Sequence, residues 1–257
     1  MNCPICRAQR VELYHAWPDF RVMTCRECGF RFTDLETWQY PYLDKDYYDI
    51  GEISEPNPYR PFLFRRASQI LRHCRSGRAL DVGCGMGEMP LLLSEHGFSA
   101  TGLDESRKTI DFLRSRFPKV GWESGAVLDL IPTLGRFDVV TMYHVLEHIP
   151  HPVEVMKDMK DILRPGGYIV IEVPNMGGLN ARLMGRGWHY YLRHHVNYFK
   201  GSHLKMLADA IGCKTLEIAG YYDFTYPIGA RWKIAVKNVL RAAGFQDVVS
   251  IVMQCAD

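Results

Sequence analysis

Ala79-Leu-Asp-Val-Gly-Cys-Gly-Met-Gly87 is the stretch on which the reading of the chain turns. A short apolar run ends in glycines at positions 83, 85 and 87, and Glu88-Met89-Pro90-Leu91-Leu92-Leu93 follows at once as a helix opening. That is strand, tight turn and helix in order. Glycine is required where the backbone takes a positive φ or where a ligand approaches closer than a Cβ permits. The turn therefore presents main chain. About twenty residues on, where a nucleotide-binding βαβ unit places an acid for the ribose hydroxyls, Asp104 ends a second run, Ser99-Ala-Thr-Gly-Leu-Asp. Glycine spacing alone also fits a bare structural βα turn. With the strand, the helix and the acid in place, the expectation is an adenosine-containing ligand.

Composition bounds the rest. A chain of 257 residues buries one good core and carries a small appendage. A formal charge of +2 and 47% hydrophobic residues exclude a disordered tail and a strongly basic nucleic-acid binder. No apolar run approaches the roughly 20 residues of a membrane helix, and cysteines stand where a signal peptide would need an apolar stretch. These features lead to the expectation of a cytoplasmic protein without a membrane span. Of eight cysteines, four form two C-x-x-C pairs, while Cys74, Cys84, Cys213 and Cys255 are scattered, a pattern that favours metal over disulfides.

Residues 1–34 carry Cys3-Pro-Ile-Cys6 and Cys25-Arg-Glu-Cys28-Gly29. Thiolates two residues apart sit on one turn and grip one ion, and two such turns make a tetrahedral four-cysteine zinc site. Val11-Glu-Leu-Tyr and Arg21-Val-Met-Thr alternate as a small hairpin between them. The expectation is a zinc ribbon with a structural ion, since all four ligand positions are protein thiolates. From Met1 to Asp34, five arginines face four acids, too even a balance for a surface that tracks phosphates; a scaffold or a substrate-side lid fits better. Residues 35–58, with Tyr40-Pro-Tyr42, Tyr47-Tyr48 and Glu55-Pro-Asn-Pro58, read as a linker. From Tyr59 to Cys74, Phe62, Leu63, Ala67, Ile70 and Leu71 recur at helical spacing, with Arg65-Arg66 expected on a solvated face.

Beyond the opening stretch, strands at 99–103, 120–122, Phe137–Met142 and Tyr168–Val173 alternate with helical patterns at 105–116 and from Pro152 to Ile162, with Leu163-Arg-Pro-Gly-Gly167 read as a turn. Such alternation means a parallel sheet covered on both faces. Ligands of these sheets lie outside the carboxyl ends of the strands, so Gly83 to Gly87, Asp104, Tyr143 and Asn175 should face one crevice.

At this point the segment Leu80–Asn175 resembles the class I S-adenosylmethionine-dependent methyltransferases. The matching pieces are Asp81-Val-Gly-Cys-Gly-Met-Gly87, Asp104, Phe137-Asp138-Val-Val, Val145-Leu-Glu-His148 with Pro152, Leu163-Arg-Pro-Gly-Gly167 and Val173-Pro-Asn175. The resemblance runs from Arg78 to the end and implies an α/β fold: a Rossmann-like, seven-stranded, mostly parallel sheet with helices on both faces. Its last strand runs antiparallel, with 214–219 and 248–254 as the final pair. It implies S-adenosylmethionine as cofactor, bound by Asp81, Gly83, Cys84, Gly85, Gly87, Asp104 and Tyr143, with the glycine turn at its methionine part and Asp104 on the ribose. The domain would span 59–257.

A four-cysteine ribbon ahead of such a domain is similar to a subgroup acting on small molecules, including sugar C-methyltransferases and enzymes of polysaccharide or natural-product pathways. Those sugar enzymes carry a further C-terminal domain that this chain is too short to contain. Many relatives also place an aspartate after the third strand for the adenine amino group. Here the counterpart is Ala126, which leaves adenine to the main chain.

Methyl transfer from a sulfonium needs alignment of nucleophile and methyl group and, for a hydroxyl or a carbon acid, removal of a proton. Histidine is the natural base. His144 and His148 flank Val145-Leu-Glu147 beyond the fourth strand, and His148 is one candidate. The segment at about 176–200 is another source, with Arg182, Arg186, Arg193 and Lys200, no acids, several aromatics, and His194-His195. It reads as a substrate lid in which His194 or His195 is the base, Tyr198 orients it, and Arg186 or Arg193 pairs an anionic group such as phosphate. Aromatics covering a sheet edge would show the same composition.

The expected partner is a small-molecule acceptor, methylated at oxygen or carbon, and the composition leaves the oligomeric state open. Two other readings stand beside it. One is a zinc-ribbon RNA base methyltransferase, against which stand the near-neutral ribbon and Met142-Tyr143-His144 where many base-amine methylators have an Asn-Pro-Pro-Tyr-like motif. The other is a non-catalytic, cofactor-binding regulatory protein.

Overall fold

The computed structural model describes residues 1–38, 55–58, 60–221 and 246–256. Tyr40-Pro-Tyr42 and Tyr47-Tyr48 lie outside the described residues. At the N-terminus β1 (Val11–Ala16) and β2 (Arg21–Cys25) pair antiparallel, as the alternating pattern predicts, and β3 (Arg31–Thr33) extends the hairpin.

Helix α1 (Pro61–Leu71) begins on its proline, whose fixed φ suits a first turn. The main domain then alternates β4 (Gly77–Val82), α2 (Glu88–Glu95), β5 (Phe98–Asp104), α3 (Arg107–Arg116), β6 (Gly121–Ser124), a short α4 (Val127–Leu130), β7 (Phe137–Tyr143), α5 (Pro152–Asp161) and β8 (Leu163–Pro174). After β8 come α6 (Leu179–Met184), β9 (Asn197–Tyr198), α7 (Gly201–Ala210), β10 (Cys213–Tyr221) and β11 (Val248–Cys255).

The seven-stranded sheet has the order β10-β11-β8-β7-β4-β5-β6. Pairs from β8 to β6 are parallel, and β11 runs antiparallel to both β8 and β10. The expected fold class and its reversed last strand are both present. Each central strand sends alternate residues to opposite cores. Ala79, Val139, Val170 and Val252 meet Leu63, Ala67 and Ile70 of α1 together with Leu92 and Ile110 of α2 and α3. Leu80, Val140, Ile171 and Ile251 meet Met156 of α5 and Leu204 and Leu207 of α7. Burial on both faces is why these strands are apolar almost throughout.

The ribbon is joined to this body in two ways. Phe30 and Phe32 pack into the α5–α7 core, and β3 pairs antiparallel with β9, so the four-stranded ribbon sheet has the order β1-β2-β3-β9. A two-residue strand from the far end of the inserted segment thus completes it.

Three expectations change. Leu163-Arg-Pro-Gly-Gly167 is part of β8, because Leu163 already pairs with Phe137 of β7. Cys213 and Cys255 are not scattered: the β10–β11 register sets them opposite one another, and they form a disulfide across 42 residues of sequence. Arg65 and Arg66 do not lie on a solvated face. Both guanidinium groups turn inward to the carboxylate of Glu172 on β8, at 2.6 Å each, and Glu172 is 1% exposed. A charge buried in the sheet has to be paired, and α1 supplies its counter-ions.

Candidate active site

The glycine turn after β4 is built as its spacing predicts. Gly83, Gly85 and Gly87 take φ of +70°, +50° and +73°. The Gly83 and Cys84 amides donate to the Leu103 carbonyl at 2.7 and 3.0 Å, which ties the turn to β5. The reasons for glycine differ along the turn. A Cβ at Gly87 would meet the Trp122 ring at 2.5 Å, whereas one at Gly85 would meet nothing within 4 Å. Gly87 is thus demanded by packing, and Gly85 keeps open the space in front of the turn. The side chain of Cys84 is buried in the core under the turn, leaving only its main chain toward the crevice.

Asp104, at the end of β5, accepts from the Gly85 amide through Oδ2 at 2.8 Å and from the Ser106 amide through Oδ1 at 3.0 Å. A carboxylate has about four acceptor positions, so the two oxygens keep capacity for a pair of ribose hydroxyls. Burial raises its pKa above the usual carboxylate range. Asp81 is deeper. It accepts from Thr141 Oγ1 at 2.6 Å, and burial pushes its pKa up to about 7. Tyr143 closes β7 with a buried ring, 4.4 Å beneath the Arg66 guanidinium, and its hydroxyl has no hydrogen-bond partner among the described residues. The residues around the turn therefore fit an adenosyl cofactor: main-chain groups, an open approach at Gly85, and an acid with acceptor capacity left.

Beyond β7 the chain turns sharply. His144 takes a φ of +57°, uncommon for a residue with a Cβ, and its amide donates to the Glu172 carbonyl at 2.9 Å. Val145 then lies against Gly83, and a 3₁₀ turn, Leu146–His148, carries Glu147 and His148. Glu147 is 1% exposed, and the His144 Nδ1 stands 3.4 Å from its Oε1. His144 beside it holds its carboxyl down to about 2 against the opposing effect of burial. His144 also faces Glu172 at 3.7 Å, and the two acids raise its pKa despite burial.

The inserted segment comes back to this turn. The His148 Nδ1 donates to the His194 carbonyl at 2.9 Å, and the Val196 amide donates to the Glu147 carbonyl at 2.8 Å. His148, His194 and His195 converge, with ring centres 4.8 to 5.3 Å apart. His195 is 5% exposed, its Nδ1 donates to the Tyr190 carbonyl at 2.9 Å, and burial depresses its pKa to about 3. Burial also lowers that of the half-buried His194.

Tyr198 holds the main chain of His195, not its ring: the hydroxyl donates to the His195 carbonyl at 2.8 Å, and Thr33 Oγ1 of β3 donates to the same oxygen at 3.1 Å. Arg186 and Arg193 are exposed. Sequence reasoning named His144 with His148 but gave it no role; the structure sets it between Glu147 and Glu172.

In the ribbon, the Sγ atoms of Cys3 and Cys28 are 3.7 Å apart, those of Cys6 and Cys25 3.5 Å, and all four lie within 4.8 Å of one another. A tetrahedron of thiolates about 2.3 Å from zinc has edges of about 3.8 Å, so the donor set fits that ion. The turns close through Gly29 at φ +72° and, after the first pair, through Arg7 at +63°. A cleft of about 400 Å³ opens between ribbon and main domain, lined by Arg7, Asp34, Glu36, His151 and Asn197 among others. None of the expected cofactor residues lines it. Among the described residues, no helix is long and apolar enough to cross a membrane.

A family described as a methyltransferase domain matches residues 59–218. A ubiquinone biosynthesis O-methyltransferase from Chromobacterium violaceum is 30% identical over 207 residues, covering 72% of this chain and 83% of that protein. Another of the same name from Shewanella halifaxensis is 27% identical over 216 residues, 73% of this chain and 89% of its own. Among solved structures, a SAM-dependent methyltransferase from Archaeoglobus fulgidus superposes with a TM-score of 0.57 at 20% identity, covering 75% of this chain and 91% of its own. The N-methyltransferase NodS from Bradyrhizobium japonicum, solved with S-adenosyl-L-homocysteine, gives 0.55 at 17% identity over 82% and 98%. These two likenesses concern the fold. The chain belongs to the S-adenosylmethionine-dependent methyltransferases.

Proposed function

We propose that this methyltransferase acts on an oxygen or carbon of a small metabolite, namely a sugar, a nucleotide-sugar or a polysaccharide or natural-product precursor, in the cytoplasm. The names of its relatives favour oxygen. The cofactor supplies the methyl group as an electrophile. Asp104 and the glycine turn hold its ribose and methionine parts, and Asp81 and Tyr143 line the same pocket. Residues 176–200 are the substrate lid, and the acceptor's proton is taken up at the histidines His148, His194 and His195. Arg186 and Arg193 offer charge to an acceptor that bears phosphate. Residues 1–34 form a ribbon around a structural zinc ion held by Cys3, Cys6, Cys25 and Cys28, with 35–58 as linker and 59–257 as the catalytic domain.

The observation that carries this reading is the meeting of the 3₁₀ turn and the inserted segment: Val145 leans on Gly83 of the cofactor turn, and His148, three residues on, meets His194 and His195. The test is incubation with methyl-labelled cofactor and fractionated extracts. Label in a small-molecule fraction is expected. Label confined to RNA would replace the reading with the base methyltransferase, and bound cofactor without any labelled product would replace it with a regulatory protein.

A further inference from the structure

We infer that His148, His194 and His195 form a binding site for one divalent transition-metal ion, separate from the cysteine site, with an open position for the acceptor. The inference rests on the reading above for the identity of the ligand in the open position, and in place of direct proton uptake by the imidazoles it has them hold an ion on which the acceptor ionises.

Each histidine offers a ring nitrogen, and these three atoms lie within 4.8 Å of one another. The ring centres form a nearly equilateral triangle with sides of 5.3, 4.8 and 4.8 Å. Imidazoles bound to a tetrahedral ion at about 2.0–2.1 Å have ring centres about 5 Å apart and donor atoms about 3.3 Å apart. The ring spacing is thus that of a ligand set. The donor atoms, within 4.8 Å of one another, would draw together by about 1.5 Å on binding an ion.

The outward hydrogen bonds select the same chemistry. A carbonyl cannot donate, so the His148 Nδ1 facing the His194 carbonyl and the His195 Nδ1 facing the Tyr190 carbonyl both carry protons. In a ring that carries no second proton, that leaves the Nε2 lone pair as donor. Metal-binding histidines characteristically anchor their other nitrogen in this way, which fixes both tautomer and ring orientation. The carbonyl of His195 is held in turn by Thr33 and Tyr198.

A buried charge points the same way. Glu147 precedes His148, is 1% exposed, and neither of its carboxylate oxygens makes a hydrogen bond among the described residues. His144 faces one side of this carboxylate at 3.4 Å, and a cation at the three histidines would stand on the other. Three neutral nitrogens and no thiolate favour zinc, cobalt, nickel or iron(II) over magnesium or calcium. Three protein ligands leave the fourth position open, as in catalytic sites. An acceptor hydroxyl that replaces water there loses its proton more readily, because the ion stabilises the oxyanion; the proton passes to solvent water and no electron changes hands.

The test uses the full chain, stripped of metal by a chelator and titrated with cobalt(II), with metal content and visible absorption followed together. Two ions per chain are expected. One gives the intense thiolate-to-cobalt charge-transfer band of the cysteine site, and the other gives only weak ligand-field bands. His194→Gln and His195→Ala should each lose the second ion and keep the charge-transfer band, which also reports that the chain has folded. One ion per chain, or a second ion that both variants retain, would overturn the inference. If His195→Ala loses turnover in a chain that binds one ion, the ion is wrong and histidine as direct proton acceptor stands. If the second ion binds as described but no acceptor is methylated, the ion stands and the proposed activity fails.

Discussion

Gly83 lies directly under Val145: a Cβ on the glycine would overlap Val145 Cγ2, and the glycine φ is +70°. Gly83→Ala therefore meets two penalties. The left-handed backbone costs about 1–2 kcal/mol, and overpacking against Val145 adds about 1–3 kcal/mol. We expect a lower melting temperature and cofactor-product affinity reduced at least tenfold by calorimetry. Adding Val145→Ala should recover only the packing share.

Asp81 predicts a pH dependence of a definite sign. Its folded pKa of about 7 lies above the ordinary carboxylate value, so between roughly pH 4 and 7 the folded chain holds a proton that the unfolded chain has lost. The contribution of this group to stability falls as pH rises through that window. Denaturant midpoints of the cofactor-free chain should thus decline more from pH 5.5 to 7.5 in the native chain than in Asp81→Asn. Parallel profiles would refute the assignment.

His195→Ala should lower kcat by about two orders of magnitude or more, the usual scale of proton-transfer assistance. Affinity for S-adenosylhomocysteine should stay unchanged, because His195 contacts the inserted segment and the 3₁₀ turn but none of the glycines. A parallel loss of product affinity would move His195 from the acceptor side to the cofactor side.

Glu172 holds Arg65 and Arg66 against the sheet at 1% exposure. Removing one partner of a buried pair leaves the other uncompensated, which costs about 3–5 kcal/mol. Glu172→Gln should accordingly destabilise the chain on that scale in chemical denaturation, whereas Asp209→Asn, which breaks only the exposed pair with Lys205, should change stability by less than about 0.5 kcal/mol.

Chelation should be felt in the inserted segment. β3 is bound to β9 and to Thr33 contacts with His195 and Val196. If the four cysteines hold zinc as proposed, removing the ion, or Cys25→Ser, should hasten amide exchange at 195–198 as well as in the ribbon. Exchange confined to residues 1–33 would show that the two pieces are energetically separate.

Most of the sheet was legible because its signals are local. Apolar runs, three alternate glycines and Asp104 each announce themselves within a few residues. What could not be read depends on distant register. Glu172 meets Arg66 across 106 residues and His148 meets His194 across 46, and nothing in either segment names the other. Arg65-Arg66 has the composition of a surface pair, and only the placement of α1 over β8 turns it inward. Cys213 and Cys255 become neighbours only when β10 and β11 align. In the candidate site, spacing located the cysteine cluster and the glycine turn, while the contacts of His144 emerged only with its left-handed backbone and its two acids.

The inserted segment begins and ends at a single point: Asn175 forms a bridge with Phe199, and the Met176 amide donates to the Phe199 carbonyl at 2.7 Å. A loop closed at its own neck is a cassette. Its contents can lengthen, shorten or be exchanged through evolution without altering the register of β8 or the helix that follows. For enzyme engineering, the same neck marks the two splice points at which a loop from a relative could be grafted, a direct trial of whether the proposed lid sets the acceptor.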